Sequence, residues 1–482
     1  MPSAEVVVCV DFGSTFTKAV VVDLATGRVS AAASHRTTID TDVLDGYAAC
    51  RAALVVQDPR AADAEVLACS SAGGGLRIAV VGNEELVTAE AGRRVALSSG
   101  GRVVAVLAAG SRPDGRAGDR LGELAVSEPD VVLLTGGTDG GNAEPILACA
   151  RDLVRAGWHG PVVVAGNTDA RPEVSAILEA GGVPHVLAAN VVPRIGVLAP
   201  DSARHAIREV FLAHVIGGKH LSASPAFTEM VRGATPDVVL TAVELLGRGL
   251  DEEHPGAGDV VVVDVGGATT DVHSVVEVDP EDSGLSREVV ASTAVTRTVE
   301  GDLGMRWSAV ATVEEAYAAG LLEPGTEGEL RAAAARRQDD PGLLPDDPAG
   351  TADDETIARL AVGLALRRHA GRSRVVVGPT GRVVERSGRD LREVDLLVGS
   401  GGALRNGATG AAGRILADST AAGAGAHSDW QLPRRPRVVV DRDHVLAAAG
   451  LLAEVHPRTA HRLLTSLTLT GEDVACAREQ RR

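Results

Sequence analysis

The sequence predicts an α/β protein of two related half-domains, with a doubly wound βαβ domain inserted into the first half. Two stretches far apart in the chain share one design. They are Val6-Val7-Val8-Cys9-Val10-Asp11-Phe12-Gly13-Ser14-Thr15-Phe16-Thr17-Lys18 and Val260-Val261-Val262-Val263-Asp264-Val265-Gly266-Gly267-Ala268-Thr269-Thr270-Asp271. Each is an apolar strand with an Asp near its end, followed by a Gly/Ser/Thr turn. Such a turn offers backbone N–H groups and hydroxyls to phosphate oxygens, and its Asp can hold a hydrated divalent cation. A third stretch, Leu396-Leu397-Val398-Gly399-Ser400-Gly401-Gly402-Ala403, is again an apolar run ending in glycines.

The bulk composition agrees with this class. With 482 residues there is room for two or more domains and a large core. Hydrophobic residues make up 45% but aromatics only 2%, so the core must be built from Val, Leu, Ile and Ala. Runs such as Val260–Val263 are β-branched on both faces, which fits central parallel strands. A net charge of −18 argues against a nucleic-acid partner, and a phosphate ligand must be held locally against that field. The five cysteines (Cys9, Cys50, Cys69, Cys149, Cys476) are dispersed and never spaced C-x-x-C, as expected of reduced thiols in a cytoplasmic protein. The start lacks a basic, apolar leader, and no run approaches the roughly 20 apolar residues needed to span a bilayer. Lys occurs only at Lys18 and Lys219, among many Arg, so a compact ammonium beside the first turn stands out.

Taken in order, the chain opens with strands at Glu5–Val10, Lys18–Asp23 and Val29–Ser34, a helix at Val43–Val55 and a strand at Val66–Ser70. From Leu76 to about Asn190 short apolar runs alternate with helical stretches: Leu76–Val81, Val103–Leu107, Asp130–Leu134, Pro161–Ala165 and His185–Ala188. That is a series of about five βαβ strands. Its glycine-rich strand ends, Thr135–Gly141 and Gly166–Asp169, fall where ligands of such sheets bind, or merely make tight turns. Helices are expected at Asp201–His214 and Pro236–Leu246, and strands at Arg287–Arg297 and Leu391–Val398. A mobile loop is expected within Pro324–Asp354, a Gly/Ala-rich stretch at Gly407–Gly425, a last helix at His444–Leu452 and a frayed tail after Gly471. The organisation expected is therefore 1–75 as the first part of lobe I, 76–190 as the insertion, 191–257 as returning helices and 258–482 as lobe II.

The three motifs, in this order, resemble the phosphate-1, phosphate-2 and adenosine motifs of the ATPase superfamily that joins actin, the heat-shock chaperones and the sugar kinases. Val445–Gly450 is similar to its second connecting helix, and Asp201–Phe211 to the first. Within that superfamily, four strings resemble the glutamate mutase L group, which is accessory to adenosylcobalamin-dependent mutases. They are Ser70–Leu76, Gly217-Gly218-Lys219-His220-Leu221-Ser222, Arg297-Thr298-Val299-Glu300-Gly301-Asp302-Leu303-Gly304 and Gly399–Arg405. The resemblance covers nearly the whole chain. It implies a duplicated actin-like (RNase H-like) ATPase core with a flavodoxin/Rossmann-like insertion.

The same resemblance implies ATP and Mg²⁺ as ligands, with Asp11 and Asp264 binding the metal through water and positioning the attacking water. Ser14, Thr15, Thr269 and Thr270 then donate to phosphate oxygens, Gly13, Gly266 and Gly267 shape the turns, and Lys18 neutralises developing charge. Gly399, Gly401 and Gly402 let the backbone lie against adenine and ribose. Asp271 either joins this site or caps a turn. Glu300 or Asp302 either orients water or ribose or caps a helix. Asp271-Val272-His273 matches the start of a cobalamin-ligating D-x-H-x-x-G pattern, but Val276 stands where Gly is needed; no His has metal-ligand spacing.

The function expected is that of an accessory factor, a slow ATPase acting on subunits of an adenosylcobalamin-dependent amino-acid mutase, with no nucleic-acid or membrane partner and homodimerisation left open. The insertion is similar in pattern to small cobalamin-binding mutase subunits, although it has no ligating His. A small-molecule kinase on the same fold, and a nucleotide-bound assembly protein with little turnover, are the alternatives.

Overall fold

The computed structural model describes residues 5–72, 76–82, 88–99, 101–108, 120–216, 221–277, 294–322, 325–378, 381–421 and 429–470. The chain divides into two compact units: Met1–Cys69 with Val238–Arg287 and Arg297–Arg482, and Ser70–Asp237 with Glu288–Thr296. No helix among the described residues is long and apolar enough to cross a membrane.

The first unit holds the same sheet twice. Val6–Phe12, Phe16–Asp23 and Arg28–Arg36 form an antiparallel meander, and Glu65–Ser70 flanks the first strand on its other side. Numbered by appearance, the strand order is 3-2-1-4. In the second half Val260–Val265 pairs antiparallel with Thr270–Val275 and parallel with Leu396–Ser400, which pairs parallel with Arg437–Val440. With Val295–Glu300, which belongs to this unit from Arg297 on, the order is 3-2-1-4-5. This repeat is the duplicated, RNase H-like core of the actin-like fold. Both first strands are almost wholly buried, as β-branched runs covered on two faces must be.

Side-chain chemistry sets the surrounding elements. Asp42 caps the helix Val43–Gln57 by accepting from the Leu44 N–H at 2.8 Å, and that helix packs on the meander. In the second half the helix Pro348–His369 begins at Asp347, whose carboxylate accepts from the Gly350 N–H, with Pro at its first turn. Its buried Ala358, Ala361 and Ala365 let it lie close against Val261, Val263 and Val272, with Leu360 and Leu364 filling the remaining space. The core is thus aliphatic, as the composition requires.

The second unit is a five-stranded parallel sheet, with Gly101–Ala108, Leu76–Gly82, Val131–Leu134, Val162–Val164 and His185–Leu187 side by side. That is the flavodoxin order 2-1-3-4-5. Its core joins Val132, Leu134, Val162 and Val164 to Ile146, Leu153, Val174 and Leu178 of two covering helices. The helix Asp201–Val210, expected as a connecting helix, packs on the strands Val162–Val164 and His185–Leu187.

The stretch expected to include a mobile loop carries the helix Glu327–Asp339, a link at 340–347 and the start of Pro348–His369. The link between them carries Pro341, Gly342 and Pro345, Pro348 and Gly350 stand in the first turn of the second helix, and 327–339 is rich in Ala, Arg and Glu, which favour helix. Arg414 within the Gly/Ala-rich stretch is likewise helical, in Ala411–Ile415. The strand expected at Leu391–Val398 starts at Leu396, because Leu391–Asp395 forms a turn closed by the Val394 N–H on the Leu391 carbonyl. Gly73–Gly75, Gly217–His220, residues 287–293 and the tail after Thr470, with Cys476, lie outside the described residues. Cys9, Cys50, Cys69 and Cys149 are buried, and among the described residues none is in a disulfide.

Candidate functional site: two matched turns

The two Asp turns are closed by the same hydrogen bond. The Gly13 N–H donates to the Phe16 carbonyl at 3.2 Å, and the Gly266 N–H donates to the Thr269 carbonyl at 2.8 Å. A Cβ would stand 2.7 Å from that acceptor oxygen at Gly13, which calls for glycine, and 3.0 Å at Gly266, where a side chain would be a tight fit. In both, carbonyls are drawn away from the turn mouth. Thr37 gives its hydroxyl to the Gly13 carbonyl at 2.8 Å and its N–H to the Thr15 carbonyl at 2.9 Å. Met305 N–H, Arg306 N–H and the Ser308 hydroxyl take the carbonyls of Gly266, Gly267 and Ala268 at 3.0, 2.8 and 2.7 Å. Among the described residues, the amides of Ser14, Thr15, Gly267, Ala268 and Thr269 donate to no main-chain carbonyl. Amides left unbonded while carbonyls are bound from behind make an anion-binding concavity.

The turns meet. A Cβ on Gly267 would stand 2.7 Å from Thr15 Oγ1, and that hydroxyl is buried without a hydrogen-bond partner. Asp11 and Lys18 are cross-strand neighbours, with Nζ 3.1 Å from Oδ2 and side chains 11% and 28% exposed. Burial pulls the Lys18 ammonium down. Asp11 and Asp264 outweigh it, Arg405 opposes them, and the net shift is upward, so Lys18 stays charged. One ammonium therefore lies within the field of both strand-end carboxylates.

The third motif joins them through sheet register: Ser400 lies opposite Asp264 on the neighbouring strand. Gly401 has φ +120°, and a Cβ there would stand 2.2 Å from the Val265 carbonyl oxygen, so only glycine lets the backbone pass. Around Gly402 there is open space. Gly399, expected to face a nucleotide, instead makes room for the Leu404 and Leu416 side chains. Thr270 also departs from its expected role. It is fully buried and gives its proton to the Leu303 carbonyl at 2.7 Å, which leaves Ser14, Thr15 and Thr269 as the hydroxyls at the turns.

Four further residues belong to this neighbourhood. Asp271 is the cross-strand partner of Asp264, and its carboxylate accepts from Arg297 at 3.2 Å. Burial raises its pKa, Arg297 opposes and Asp264 adds to the rise. Asp441 accepts from the N–H groups of Val445 and Leu446, capping the helix Val445–Leu452. Its backbone carbonyl takes the Arg405 Nε–H at 3.0 Å. His444, in the left-handed region at φ +57°, lines a small cavity with Asp11, Lys18 and Cys9. The sequence carried a signal for Arg405, the last residue of a family-like string, and none for His444 beyond its place before a helix. Among the described residues no three His, Cys, Asp or Glu side chains cluster as direct metal ligands. A hydrated cation held through water by two carboxylates needs no such cluster.

His273 is 1% exposed inside its strand. Nearby His369 shares hydrogen bonds with Ser274 and Thr298 at 2.8 and 3.0 Å. Burial, then Arg389, pulls His369 down to about 3, and burial, then Arg297 and His369, pulls His273 well below the usual imidazole range. Both are neutral when folded, whereas unfolded imidazoles take up protons below about pH 6.5. Stability is therefore complete above that pH and falls as pH drops toward the folded values, each histidine costing up to about 1.4 kcal/mol per pH unit. Thermal melts between pH 7.5 and 5.5 should show the decline, and His369→Gln should flatten it. A wild-type melting temperature that does not move over this range contradicts the assignment.

Comparison with known proteins follows the same lines. The model of the family described as MutL protein matches residues 7–467. Protein MutL of Clostridium tetanomorphum is 34% identical over 459 residues, covering 94% of this chain and 97% of that protein. Among solved structures, ethanolamine utilization protein EutJ from Carboxydothermus hydrogenoformans aligns over 95% of this chain and 90% of its own, at 11% identity and a TM-score of 0.26. Xylulose kinase from Bifidobacterium adolescentis aligns over 96% and 93%, at 14% identity and a TM-score of 0.30. Overlaps this loose carry no argument about chemistry.

Proposed function

The chain belongs to the MutL protein family, and we propose that it is an ATP-binding and ATP-hydrolysing accessory factor for an adenosylcobalamin-dependent amino-acid mutase. The observation that carries this reading is the meeting of two like-built turns at Thr15 and Gly267, beside an ammonium in the field of both Asp11 and Asp264.

Mg·ATP suits these residues. Unbonded amides on both turns and the partnerless Thr15 hydroxyl match phosphate oxygens, and two strand-end carboxylates match a hydrated magnesium ion. When bound, Mg·ATP supplies the phosphoryl group whose transfer to water releases free energy. The chain's own part is to hold and neutralise. The amides of Ser14, Thr15, Gly267, Ala268 and Thr269 grip oxygens, Lys18 offsets charge, and Gly402 leaves space for the rest of the nucleotide.

The mutase partner is supported by the likeness of four strings to the glutamate mutase L group. In this proposal the flavodoxin-type sheet engages the mutase, in the manner of its small cobalamin-binding subunit, and the nucleotide state of the duplicated core sets the grip. The test measures phosphate release with and without a purified adenosylcobalamin mutase, co-purification in ATP and ADP, and phosphorylated small-molecule acceptors. Slow release that the mutase changes, with binding that depends on the nucleotide, is the expected result. Phosphorylation of a small acceptor without any mutase makes the chain a kinase instead. Nucleotide-independent binding with no turnover makes it an assembly protein.

A further inference from the structure

The loop that follows Glu300 lies directly on the second turn. A Cβ on Gly304 would stand 2.6 Å from the Ala268 carbonyl and 2.7 Å from the Gly267 oxygen, so the two backbones are in contact. Three successive donors from this loop, at Met305, Arg306 and Ser308, hold the three carbonyls of Gly266, Gly267 and Ala268. Arg306 is the middle one, and it differs from its neighbours in being anchored at its far end as well.

That anchor is an ion triad. Arg306 reaches Asp354 with two parallel hydrogen bonds, Nη1 to Oδ1 at 3.1 Å and Nη2 to Oδ2 at 2.9 Å, and Nη1 also donates to the Met305 carbonyl. Arg337, 1% exposed, donates its Nε–H to the same Oδ1 at 2.5 Å and binds the carbonyls of Ala333 and Gly350. Bidentate, charge-assisted bonds of this kind fix direction as well as distance. Two helices, Glu327–Asp339 and Pro348–His369, thus converge on one guanidinium that stands behind the turn. Two guanidiniums share the Asp354 carboxylate, and Arg337 also lies 3.9 Å from Asp353.

We propose that Arg306 is a positioning residue for the turn Gly266–Thr269. Clamped by Asp354, it draws the turn's carbonyls backward and so presents the amides of Gly267, Ala268 and Thr269 before an anion arrives. Such preorganisation lowers the barrier of phosphoryl transfer without adding a contact to the substrate. The role in turnover rests on the reading that this turn takes ATP phosphates; the clamp on the turn does not.

Two measurements on the full-length protein separate these claims. Asp354→Asn keeps the side-chain shape but removes the charge. Amide hydrogen exchange at Met305 and Arg306, whose N–H groups hold the carbonyls of Gly266 and Gly267, should then accelerate about tenfold, the usual scale for losing a charge-assisted bond. ATP turnover should fall about tenfold in kcat with little change in KM, because the ground state still finds the same groups. Glu355→Gln serves as the control, since it breaks only the exposed pair with Arg414 on the same helix. It should leave both readings at the wild-type level. Unchanged exchange in Asp354→Asn, or an equal effect in Glu355→Gln, overturns the proposal. Wild-type protein without ATP turnover would sink the ATPase reading alone, and the exchange measurement would still decide the clamp.

Discussion

Asp11→Asn is expected to lower ATP turnover by about 10²-fold or more, the scale seen when one preorganised electrostatic group is removed from a phosphoryl-transfer or acyl-transfer site. The fold should survive. Asp11 is the last residue but one of a strand whose other residues are Val, Cys and Phe packed on both faces, and Asn occupies the same space. Lys18 loses its 3.1 Å partner but keeps the field of Asp264, so the ammonium is not left uncompensated. Two consequences distinguish this from loss of structure. The melting temperature should stay within a few degrees of wild type, and nucleotide affinity should lose its dependence on magnesium. Turnover within threefold of wild type in Asp11→Asn would falsify the metal-site role.

Much of this was legible because the design is repeated in the chain. A Val run, an Asp and a Gly-rich turn occur twice, and each part has a local physical reason: β-branched residues for a strand buried on two faces, glycine where a Cβ would strike a carbonyl. Strand existence and order of appearance could therefore be read from Val6–Phe12, Val260–Val265 and the βαβ series that ends in His185–Leu187. The supporting residues could not. Thr37, Arg306 and Asp354 act on the turns from 20 or more positions away, and nothing in local sequence tells a threonine that binds a turn carbonyl from one that faces water. Thr270 shows the converse. It sits inside the motif, yet strand alternation directs its hydroxyl toward Leu303, on the face opposite its neighbour Asp271. Pairing across strands had the same effect for Asp271, whose closeness to Asp264 follows from register and not from spacing. Between Pro324 and Asp354 composition averages two helices with their link: Pro341, Gly342 and Pro345 lie in the link, while Gly328, Pro348 and Gly350 fall in the first turns of the flanking helices.

Gly267→Ala is expected to cost turnover about as much as a misplacement of reacting groups by an ångström, roughly 10²-fold, with little loss of stability. The backbone at 267 is not in the left-handed region, so alanine is tolerated there conformationally. Behind the residue, Arg306 Cβ lies at an ordinary 3.5 Å from the added methyl. The one severe contact is forward, 2.7 Å to Thr15 Oγ1 across the junction of the two turns. Either the turns separate by a few tenths of an ångström or Thr15 rotates its hydroxyl out of place; both remove the arrangement that the phosphate needs. Thr15→Ala removes that hydroxyl by itself and should also slow turnover. Because both substitutions act on one contact, the double variant Gly267→Ala/Thr15→Ala should be much less impaired than the product of the single effects. Multiplicative losses, measured as phosphate release at saturating Mg·ATP, would mean that the two turns work independently and that their meeting point has no part in turnover.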